Sequence, residues 1–365
     1  MNTTKVGVIG CGNISGAYFG GMKKYPFLEV AACADLLMDR AKAAKEKWGV
    51  GRACTVKELL ADPEIRIVVN LTIPKEHAKV NELILKAGKV AYTEKPFAVT
   101  AADAKRVLAL AKKKGLRTGC APDTFLGGGF QTGRQLLDEG AIGKPIAGTA
   151  FLLCHGHETW HPDPEFYYKP GGGPMLDMGP YYVTGLVSLL GPVKRVAGIT
   201  AMSFPTRTIT SQPLSGTVIK VETPTHLAGT LEFVNGCIVN IATSFDVWRH
   251  SMPIMELYGT EGSMSLPDPN TFLGPVKVAK AGAKDWTEMP LTHSDKTSRG
   301  IGVADMAKAL AANRPARAAG EMAAHVLDVM LAFNESSKSR KYVNIGSKCN
   351  RPAPLPPGLP LGEMD

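Results

Sequence analysis

Hydrophobic and polar positions alternate in two different ways along the chain. Up to about residue 120, short apolar runs typical of buried strands are separated by segments whose apolar residues recur at helical spacing. The apolar runs are KVGVIG (5–10), FLEVAACAD (27–35), RIVVNLT (66–72), KVAYTE (89–94) and RTGCA (117–121). Regular alternation of strands with helices predicts a parallel sheet that is covered by helices on both faces.

Capping residues mark where several of the predicted helices begin and end. Thr55 with Glu58, and Thr100 with Asp103, have the spacing at which a side-chain oxygen caps a helix start. Gly115 follows the helix predicted over 101–114 and is suited to the left-handed turn that ends many helices. These signals place helices between the strands, as a doubly wound α/β sheet requires.

After Pro122 a helix is predicted near 130–139. Strands separated by turns then dominate, and another helix is predicted over 320–338. The sequence FVNGCI (233–238) carries Asn-Gly between two apolar runs, which predicts a hairpin. The predicted strands are 146–154, 193–203, 226–234, 237–247, 253–258, 262–266 and 276–280. We therefore predict two domains, a Rossmann domain over 1–122 and an α+β domain with an open, mostly antiparallel sheet over 123–365. The proline-rich tail 350–365 is expected to follow the protein surface.

Composition and charge narrow the function classes. No apolar run is long enough to cross a bilayer, and the N-terminal sequence lacks signal-peptide architecture, so a cytoplasmic location is expected. The seven cysteines form no C-x-x-C motif, which argues against a disulfide framework or a structural zinc site. The formal charge is +9, but the basic residues form no stripe interleaved with aromatics, so nucleic acid is not expected as a partner.

A glycine-rich loop follows the first strand in the sequence GCGNISG (10–16). Gly10 and Gly12 would allow a tight turn and the close approach of a pyrophosphate to backbone amides, and we expect Asn13 and Ile14 to contact the same cofactor. Asp35, at the end of the second strand, can bond both hydroxyls of an adenosine ribose and would repel a 2′-phosphate. We therefore predict NAD, in preference to NADP, as the cofactor.

The next strand of the predicted sheet ends in the sequence NLTIPKEH (70–77). Ligands of open parallel sheets lie beyond the carboxyl ends of the strands, so Thr72, Ile73 and Pro74 are expected to border the cofactor. His77 lies on the following helix, where it either contacts the cofactor or packs against the helix start.

A lysine at a strand tip is the strongest candidate for chemistry. Lys95 follows a buried strand in YTEKPF (92–97), and we expect it to lie at the cofactor edge of the sheet together with Glu94 and Pro96. Such a lysine can polarise a hydroxyl or carbonyl group, and burial would lower its pKa towards catalytic use. The alternative is a strand-end lysine in a structural salt bridge. Asp123, at the crossover into the second domain, is predicted to touch the cofactor or to cap a linker.

These motifs resemble those of the Gfo/Idh/MocA oxidoreductases over nearly the whole chain. The matching sequences are GVIGCGNIS, ADLLMDRA, the stretch TIPKEH to LAKKKG that includes TEKPF, LLDEGAIGKP, GGGPMLDMGPYY and LYGTEGSMSL. The resemblance implies a Rossmann domain followed by an α/β domain with an open sheet that serves as an oligomer interface. It also implies NAD(P) and hydride transfer at a carbon of a sugar or polyol.

The family's catalytic set is the E-K-P lysine with an Asp and a His that are separated by three residues. Lys95 and Asp177 match the first two, whereas the His position falls on Tyr181. Asp177 and Tyr181 are four residues apart, so on a helix they would share a face. Tyr181 could exchange the proton if the Lys95 ammonium lowered its phenol pKa. Alternatively, the base comes from the segment 154–168.

The segment CHGHETWHPDPEFYY (154–168) combines His155, His157, Trp160 and His161. Polar groups around an aromatic ring suit a sugar, which has hydroxyls at its edge and apolar C–H faces. We predict that these four residues contact the substrate and that no metal is bound. Plain loop packing, and metal binding by the three histidines, are the alternatives.

Together, the residues and the resemblance predict an NAD-dependent oxidoreductase. It would transfer hydride between a nicotinamide and a carbinol carbon of a sugar, glycoside or polyol, with Lys95, Asp177 and Tyr181 as catalytic residues. The alternatives are a redox-neutral lyase or hydrolase of glycosides that retains NAD, and a non-catalytic NAD-binding sensor. The expected assembly is a homodimer or homotetramer through the C-terminal sheet.

Overall fold

The computed structural model describes residues 3–365, and the first sheet has six parallel strands in the order β3-β2-β1-β4-β5-β6. Its strands are β1 (Thr4–Ile9), β2 (Leu28–Ala34), β3 (Arg52–Ala53), β4 (Ile65–Asn70), β5 (Val90–Thr93) and β6 (Thr118–Cys120). Its helices are α1 (Ser15–Met22), α2 (Met38–Trp48), α3 (Val56–Ala61), α4 (His77–Lys86) and α5 (Ala101–Lys114). The order reverses between β1 and β4, which is where dinucleotides bind in such sheets.

The helix caps that the sequence predicted in this sheet are confirmed. Thr55 and Glu58 form both bonds of a capping box at the start of α3. The Thr100 hydroxyl accepts a hydrogen bond from the Asp103 amide at 3.1 Å at the start of α5. Gly115 ends α5 in the left-handed conformation, with φ of 64°. Local sequence therefore determines where these helices begin and end.

The second sheet has nine strands in the order β16-β15-β14-β13-β7-β12-β11-β8-β17. The strands are β7 (Pro145–Leu153), β8 (Val193–Ala201), β11 (His226–Phe233), β12 (Ile238–Ser244), β13 (Met255–Gly259), β14 (Gly262–Leu266), β15 (Val276–Lys280), β16 (Thr287–Met289) and β17 (Val343–Asn344). A separate two-stranded sheet pairs β9 (Thr206–Thr208) with β10 (Val218–Lys220). Within the nine-stranded sheet β7 and β12 are parallel and the other neighbours antiparallel, as the mostly antiparallel prediction required.

The Asn-Gly hairpin prediction is also confirmed. β11 and β12 pair in antiparallel register from His226–Ser244 to Glu232–Ile238. Gly236 takes the left-handed conformation with φ of 90°, and the Phe233 amide donates to the Cys237 carbonyl at 2.9 Å. Glycine is required in this turn because other residues rarely adopt a positive φ.

Five further α-helices lie within residues 123–365, and one of them was missed from the sequence. They are α6 (Gly128–Asp138), α7 (Pro174–Asp177), α8 (Gly179–Leu190), α9 (Ile301–Ala311) and α10 (Gly320–Ser339). The missed helix is α9, whose residues from Ile301 to Ala307 are all buried, so that it lacks the polar face that reveals a helix. The chain at the start of α10 returns to the first sheet, where the Cys120 amide donates to the Ala318 carbonyl at 3.0 Å. The domain division at residue 122 stays a prediction.

The proline-rich tail packs along the surface, as predicted. Arg317 donates to the carboxylate of Asp365 and to the carbonyl of Pro354, while the Leu355 amide donates to the Gln131 side chain at 2.7 Å. Prolines lack the amide that a regular strand would use, so side chains elsewhere hold the tail. None of the helices in residues 3–365 is both long enough and apolar enough to cross a membrane.

The capping box gives a direct test of the local fold. Thr55→Ala removes the oxygen that accepts the Glu58 amide, so the free energy of unfolding should fall by about 1 kcal/mol. Urea denaturation followed by circular dichroism measures this change. Glu58→Ala removes the reciprocal bond, and the double variant should lose less than the sum of the two single losses because the bonds form as a unit. Strictly additive losses would contradict the capping box.

Candidate active site

A cavity of about 610 Å³ opens beyond the carboxyl ends of β4 and β5. It is bordered by the glycine loop before α1, by the segment that contains α7 and the start of α8, and by the chain before α9. Ten predicted residues line it: Ile14, Thr72, Pro74, Glu94, Lys95, Pro96, His157, Trp160, Asp177 and Tyr181. Residues far apart in sequence therefore meet in one cavity.

Lys95 and Asp177 form an ion pair at this cavity. The Lys95 amine donates to Asp177 Oδ1 at 2.9 Å and to the Asp177 backbone carbonyl at 2.8 Å. The side chains are only 18% and 14% exposed, respectively. A charge-assisted hydrogen bond in such a shielded site is stronger than the same bond in water. The pair fixes the amine at the tip of β5.

The pKa values of the pair correct the expectation for the lysine. Burial opposes the charge on Asp177, but the Lys95 ammonium and the bond from His157 together outweigh it and lower the carboxyl pKa from 3.8 to about 2. Burial alone would lower the pKa of Lys95, but the negative charges of Asp177 and Glu94 raise it instead. The predicted lowering of the Lys95 pKa is therefore wrong, and the amine is charged at neutral pH.

His157 bonds to the other oxygen of the same carboxylate. Its Nε2 donates to Asp177 Oδ2 at 2.9 Å, so Asp177 bridges a lysine and a histidine. The imidazole lies edge-on to the Tyr167 ring, with a centroid distance of 4.4 Å, and close to the Phe245 ring at 4.5 Å. The segment 154–168 thus brings a histidine to the carboxylate of Asp177.

Tyr181 lies between two cations. Arg299 Nη2 donates to its hydroxyl at 2.9 Å, and the Lys95 amine lies 5.3 Å from its ring centroid. The pKa of Tyr181 is nevertheless raised, chiefly because the phenol is buried, and the cations offset only part of this effect. The expectation that Lys95 would lower this pKa below its ordinary value is wrong. The phenol is protonated at neutral pH and can donate its own proton into the cavity.

Asp177 and Tyr181 lie on two successive helices, so they do not share the face of one helix as the sequence predicted. Asp177 ends the short helix α7, and Tyr181 lies in the first turn of α8, after Pro180. Pro180 is tolerated there because the first amides of a helix have no partner within the helix. The glycine loop before α7 is required by the local packing, since a Cβ on Gly172 would lie 2.5 Å from the Phe166 carbonyl oxygen.

Arg299 is a cavity residue that the sequence analysis missed. It lies just before α9, approaches Glu94 at 3.8 Å and donates to the Asn270 side chain at 3.3 Å. Its Nη1 is buried and has no hydrogen-bond partner among the described residues. No motif marks this arginine, because the chain before α9 reaches the cavity only through tertiary folding.

The Glu94 carboxylate is fixed by two hydrogen bonds, one from Tyr18 in α1 and one from the neighbouring backbone. One carboxylate oxygen accepts the Tyr18 hydroxyl at 2.8 Å, and the other accepts the backbone amide of Lys95 at 2.8 Å. Both bonds hold the carboxylate beneath the strand tip, and its negative charge contributes to the raised pKa of Lys95.

Seven of the predicted cofactor residues lie outside the cavity lining: Gly10, Gly12, Asn13 and Asp35 in and beside the glycine loop, and Ile73, His77 and Asp123. His77 is fully buried, and its ring nitrogens face the carbonyls of Thr72 at 2.9 Å and Pro96 at 2.7 Å. It therefore links the ends of two strands.

Asp123 is also fully buried and accepts hydrogen bonds from the amides of Gly300 and Gly302, which caps the start of α9. Its pKa is raised, chiefly by burial. Ile73 is exposed beside the lining residues Thr72 and Pro74.

Two of the predicted substrate histidines, His155 and His161, lie outside the cavity lining. His155 stacks on Trp248 and accepts a bond from Arg207 at 3.2 Å, away from the cavity lining. His161 accepts the Asp163 amide at 3.0 Å and contacts the rings of Trp160 and Phe166 edge-on. Within residues 3–365, no three His, Cys, Asp or Glu side chains are grouped to hold a metal. The geometry thus gives no support to a site built from the three histidines.

The glycine loop fits a bound pyrophosphate. A Cβ on Gly12 would meet no protein atom within 4 Å, whereas Gly10 has φ of 99° and a Cβ there would lie 2.7 Å from Leu71. No side chain caps the start of α1, and its first turn carries no acid, so its amides suit an anion. Asp35 accepts the Cys11 amide at 2.8 Å beside the loop. These features fit a dinucleotide, with Asp35 placed for the ribose.

Comparison with known proteins gives the same assignment. Residues 4–121 match the family model described as "Oxidoreductase family, NAD-binding Rossmann fold", and residues 130–265 match the "GFO/IDH/MocA C-terminal domain". The chain belongs to the Gfo/Idh/MocA family. As a member of this family it carries the NAD-binding Rossmann fold, and the resemblance stated from its motifs is confirmed.

The names of individual relatives of this Gfo/Idh/MocA protein refer to sugars and polyols. It is 30% identical to inositol 2-dehydrogenase of Salmonella typhimurium over 171 residues, which are 45% of this chain and 48% of the relative. It is 26% identical to 1,5-anhydro-D-fructose reductase of Ensifer adhaerens over 265 residues, 71% and 74% of the two chains. The chain thus spans about half the length of the first of these relatives.

The fold extends further than the sequence similarity. A levoglucosan dehydrogenase solved with NADH and L-sorbose superposes with a TM-score of 0.81 at 20% identity, over 95% of this chain and all of the other. At this identity the likeness shows the shared fold alone.

The lowered pKa of Asp177 predicts how stability depends on pH. A carboxyl whose pKa is lower in the folded state stabilises the fold fully above its unfolded pKa, and the contribution is lost as pH falls through the folded pKa. Asp177 should therefore contribute roughly 2 kcal/mol above pH ~4 that is lost by pH ~2. Urea unfolding at several pH values should show the difference between wild type and Asp177→Asn shrinking over this interval. The exposed Asp163→Asn serves as the control, and a difference that does not vary with pH would contradict the pairing.

Proposed function

We propose that this protein is an NAD-dependent oxidoreductase that acts on a CH–OH group of a sugar, glycoside or polyol. The observation that carries the proposal is the Lys95–Asp177 pair, which faces the cavity beside the glycine loop. The names of the relatives support the same reaction class. Bound NAD would supply the hydride acceptor or donor, held by the amides of the glycine loop and by Asp35.

Lys95 holds the reacting oxygen in this proposal. Its charged amine can donate a hydrogen bond to a hydroxyl or carbonyl in the cavity while Asp177 retains its other bonds, because an ammonium has three donors. During reduction of a carbonyl, the cation stabilises the negative charge that develops on the oxygen. During oxidation, the proton of the hydroxyl must leave, and Lys95 can accept it only in its neutral form.

Tyr181 and His157 assist from opposite sides. The Tyr181 hydroxyl accepts from Arg299 and keeps its own proton available to the substrate oxygen. His157 orients the Asp177 carboxylate so that its other oxygen faces Lys95. We propose Tyr181 as a proton donor and His157 as a positioning residue. A redox-neutral reaction would use the same groups, and no observation in the structure favours it.

The carbohydrate substrate is also a proposal, as is the cytoplasmic location that the N-terminal sequence predicts. The cavity walls combine hydrogen-bonding groups at Lys95, His157 and Arg299 with the aromatic rings of Trp160 and Phe166. Sugars present hydroxyls around their edge and apolar C–H groups on their faces, so both kinds of wall are needed to bind them.

Replacing the lysine tests the proposed function. Lys95→Ala should lower kcat/KM for NADH formation by ~10² or more, since the group that holds the reacting oxygen is lost. The assay is NADH formation over a panel of sugars, glycosides and inositols. NAD binding, measured by calorimetry, should persist, and the exposed Lys79→Ala should leave the rate unchanged. Activity of Lys95→Ala near that of wild type would defeat the assignment.

We further propose that the protein self-associates through the open face of the nine-stranded sheet. Register places Ile199, Ala228, Ala242 and Phe151 in one row across four strands. Ile199 is 75% exposed, whereas neighbouring Leu227 and Ile241 on the other face are buried. An apolar row of this kind on an open sheet face is suited to a second copy of the chain.

The oligomer proposal predicts the effect of a single charge. Ile199→Glu places a carboxylate at one end of the row, where a partner would bury it. The Kd for self-association should therefore rise at least ~tenfold. Sedimentation velocity measures the mass of both proteins. A wild-type chain that sediments as a monomer, or a variant that keeps the wild-type mass, would contradict the proposed interface.

A further inference from the structure

Two exposed aromatic rings stand at the outer part of the cavity that holds Lys95. Trp160 is 61% exposed and Phe166 is 52% exposed, although both line the same cavity as the shielded ion pair. Exposed rings of this size leave apolar area in water, which is unfavourable unless a ligand covers it. We call Trp160 and Phe166 the aromatic platform.

The segment that carries the platform is anchored to a buried network. The Thr210 amide donates to the Glu158 carbonyl at 2.9 Å, and Ser211 donates to the carbonyl of His161. The Glu158 side chain pairs with Arg207 at 2.9 Å, and both side chains are only 4% exposed. The backbone on both sides of Trp160 is therefore held in place before a ligand arrives, which lowers the entropy cost of binding.

The platform is also fixed relative to the reacting groups. The Gly173 amide donates to the Tyr167 carbonyl at 2.7 Å, and the Asp177 amide donates to the Gly173 carbonyl at 3.0 Å. Gly172 has no side chain, which lets the backbone of Phe166 lie against this loop. A short chain of backbone bonds thus links the rings to the carboxylate that holds Lys95.

The site itself separates into two parts with different chemistry. Its inner part presents Lys95, Asp177 and the Tyr181 hydroxyl, which suit the reacting oxygen and its neighbours. Its outer part presents flat apolar rings, which suit a second flat group attached to the same molecule. Apolar C–H faces and aryl rings both gain free energy by covering an exposed aromatic side chain.

We propose that the substrate is a glycoside whose reacting sugar lies at Lys95 and whose attached ring, a second sugar or an aryl group, stacks on Trp160 and Phe166. This inference rests on the proposed function for the identity of the reacting group, but the stacking subsite is a property of the platform alone. In this proposal the platform favours substrates that carry the attached ring, whereas Lys95, Asp177 and Tyr181 act on the reacting sugar.

The test compares three substrates that share one reacting sugar: the methyl glycoside, the phenyl glycoside and the β-linked disaccharide of the best sugar in the panel. Wild-type kcat/KM should be on the order of tenfold higher for a substrate with an attached ring than for the methyl glycoside. Trp160→Ala and Phe166→Ala should each reduce that ratio towards one. Trp248→Ala provides the matched control, because Trp248 is 79% exposed and lies outside the cavity lining.

A binding measurement keeps the inference independent of turnover. Phenyl β-D-glucopyranoside should quench tryptophan fluorescence of the wild type and of Trp248→Ala, and the quench should weaken in Phe166→Ala, which keeps the Trp160 fluorophore. A kcat/KM that is higher than for the methyl glycoside only with the phenyl glycoside identifies the attached ring as an aryl group. A higher kcat/KM only with the disaccharide identifies it as a second sugar. Equal kcat/KM for all three substrates, or a ratio that survives in Trp160→Ala, overturns the proposal. Quenching without turnover of any substrate would defeat the proposed function and leave the subsite standing.

Discussion

The ion pair between Lys95 and Asp177 is the interaction on which the proposed active site depends. It joins the tip of a strand in the first sheet to the end of the short helix α7, which follows that sheet in the chain. Burying two charges costs free energy that their attraction repays only when the geometry is good and the remaining donors and acceptors are satisfied. Here the second lysine bond goes to a backbone carbonyl, and the second carboxylate oxygen goes to His157. A purely structural pair would not need to face a cavity.

The pair also determines the protonation states from which the chemistry starts. Because Asp177 is held as a carboxylate, Lys95 remains an ammonium, and the buried phenol of Tyr181 remains neutral. Both groups are therefore proton donors at rest. This arrangement suits carbonyl reduction directly, whereas alcohol oxidation must first generate the neutral amine.

Local signals made the first sheet and much of the site predictable from the sequence. Parallel strands were recognisable from continuous apolar runs, and the rule that ligands lie at strand carboxyl ends brought Thr72, Glu94 and Lys95 to one edge. Contacts that depend on tertiary folding were not predictable. Arg299 enters the site from before a helix that is buried almost all round, and the pairing of His157 with Asp177 joins loops twenty residues apart. The pKa directions of Lys95 and Tyr181 were wrong because opposing effects of burial and charge can be weighed only once distances are known.

The most direct test of this account is a crystal structure of the protein with NADH and a sugar that it turns over. The account predicts that the Lys95 amine contacts both Asp177 and the oxygen of the sugar carbon that faces the nicotinamide, at hydrogen-bond distances of about 3 Å. A sugar bound elsewhere, or an amine turned away from the reacting oxygen, would contradict it.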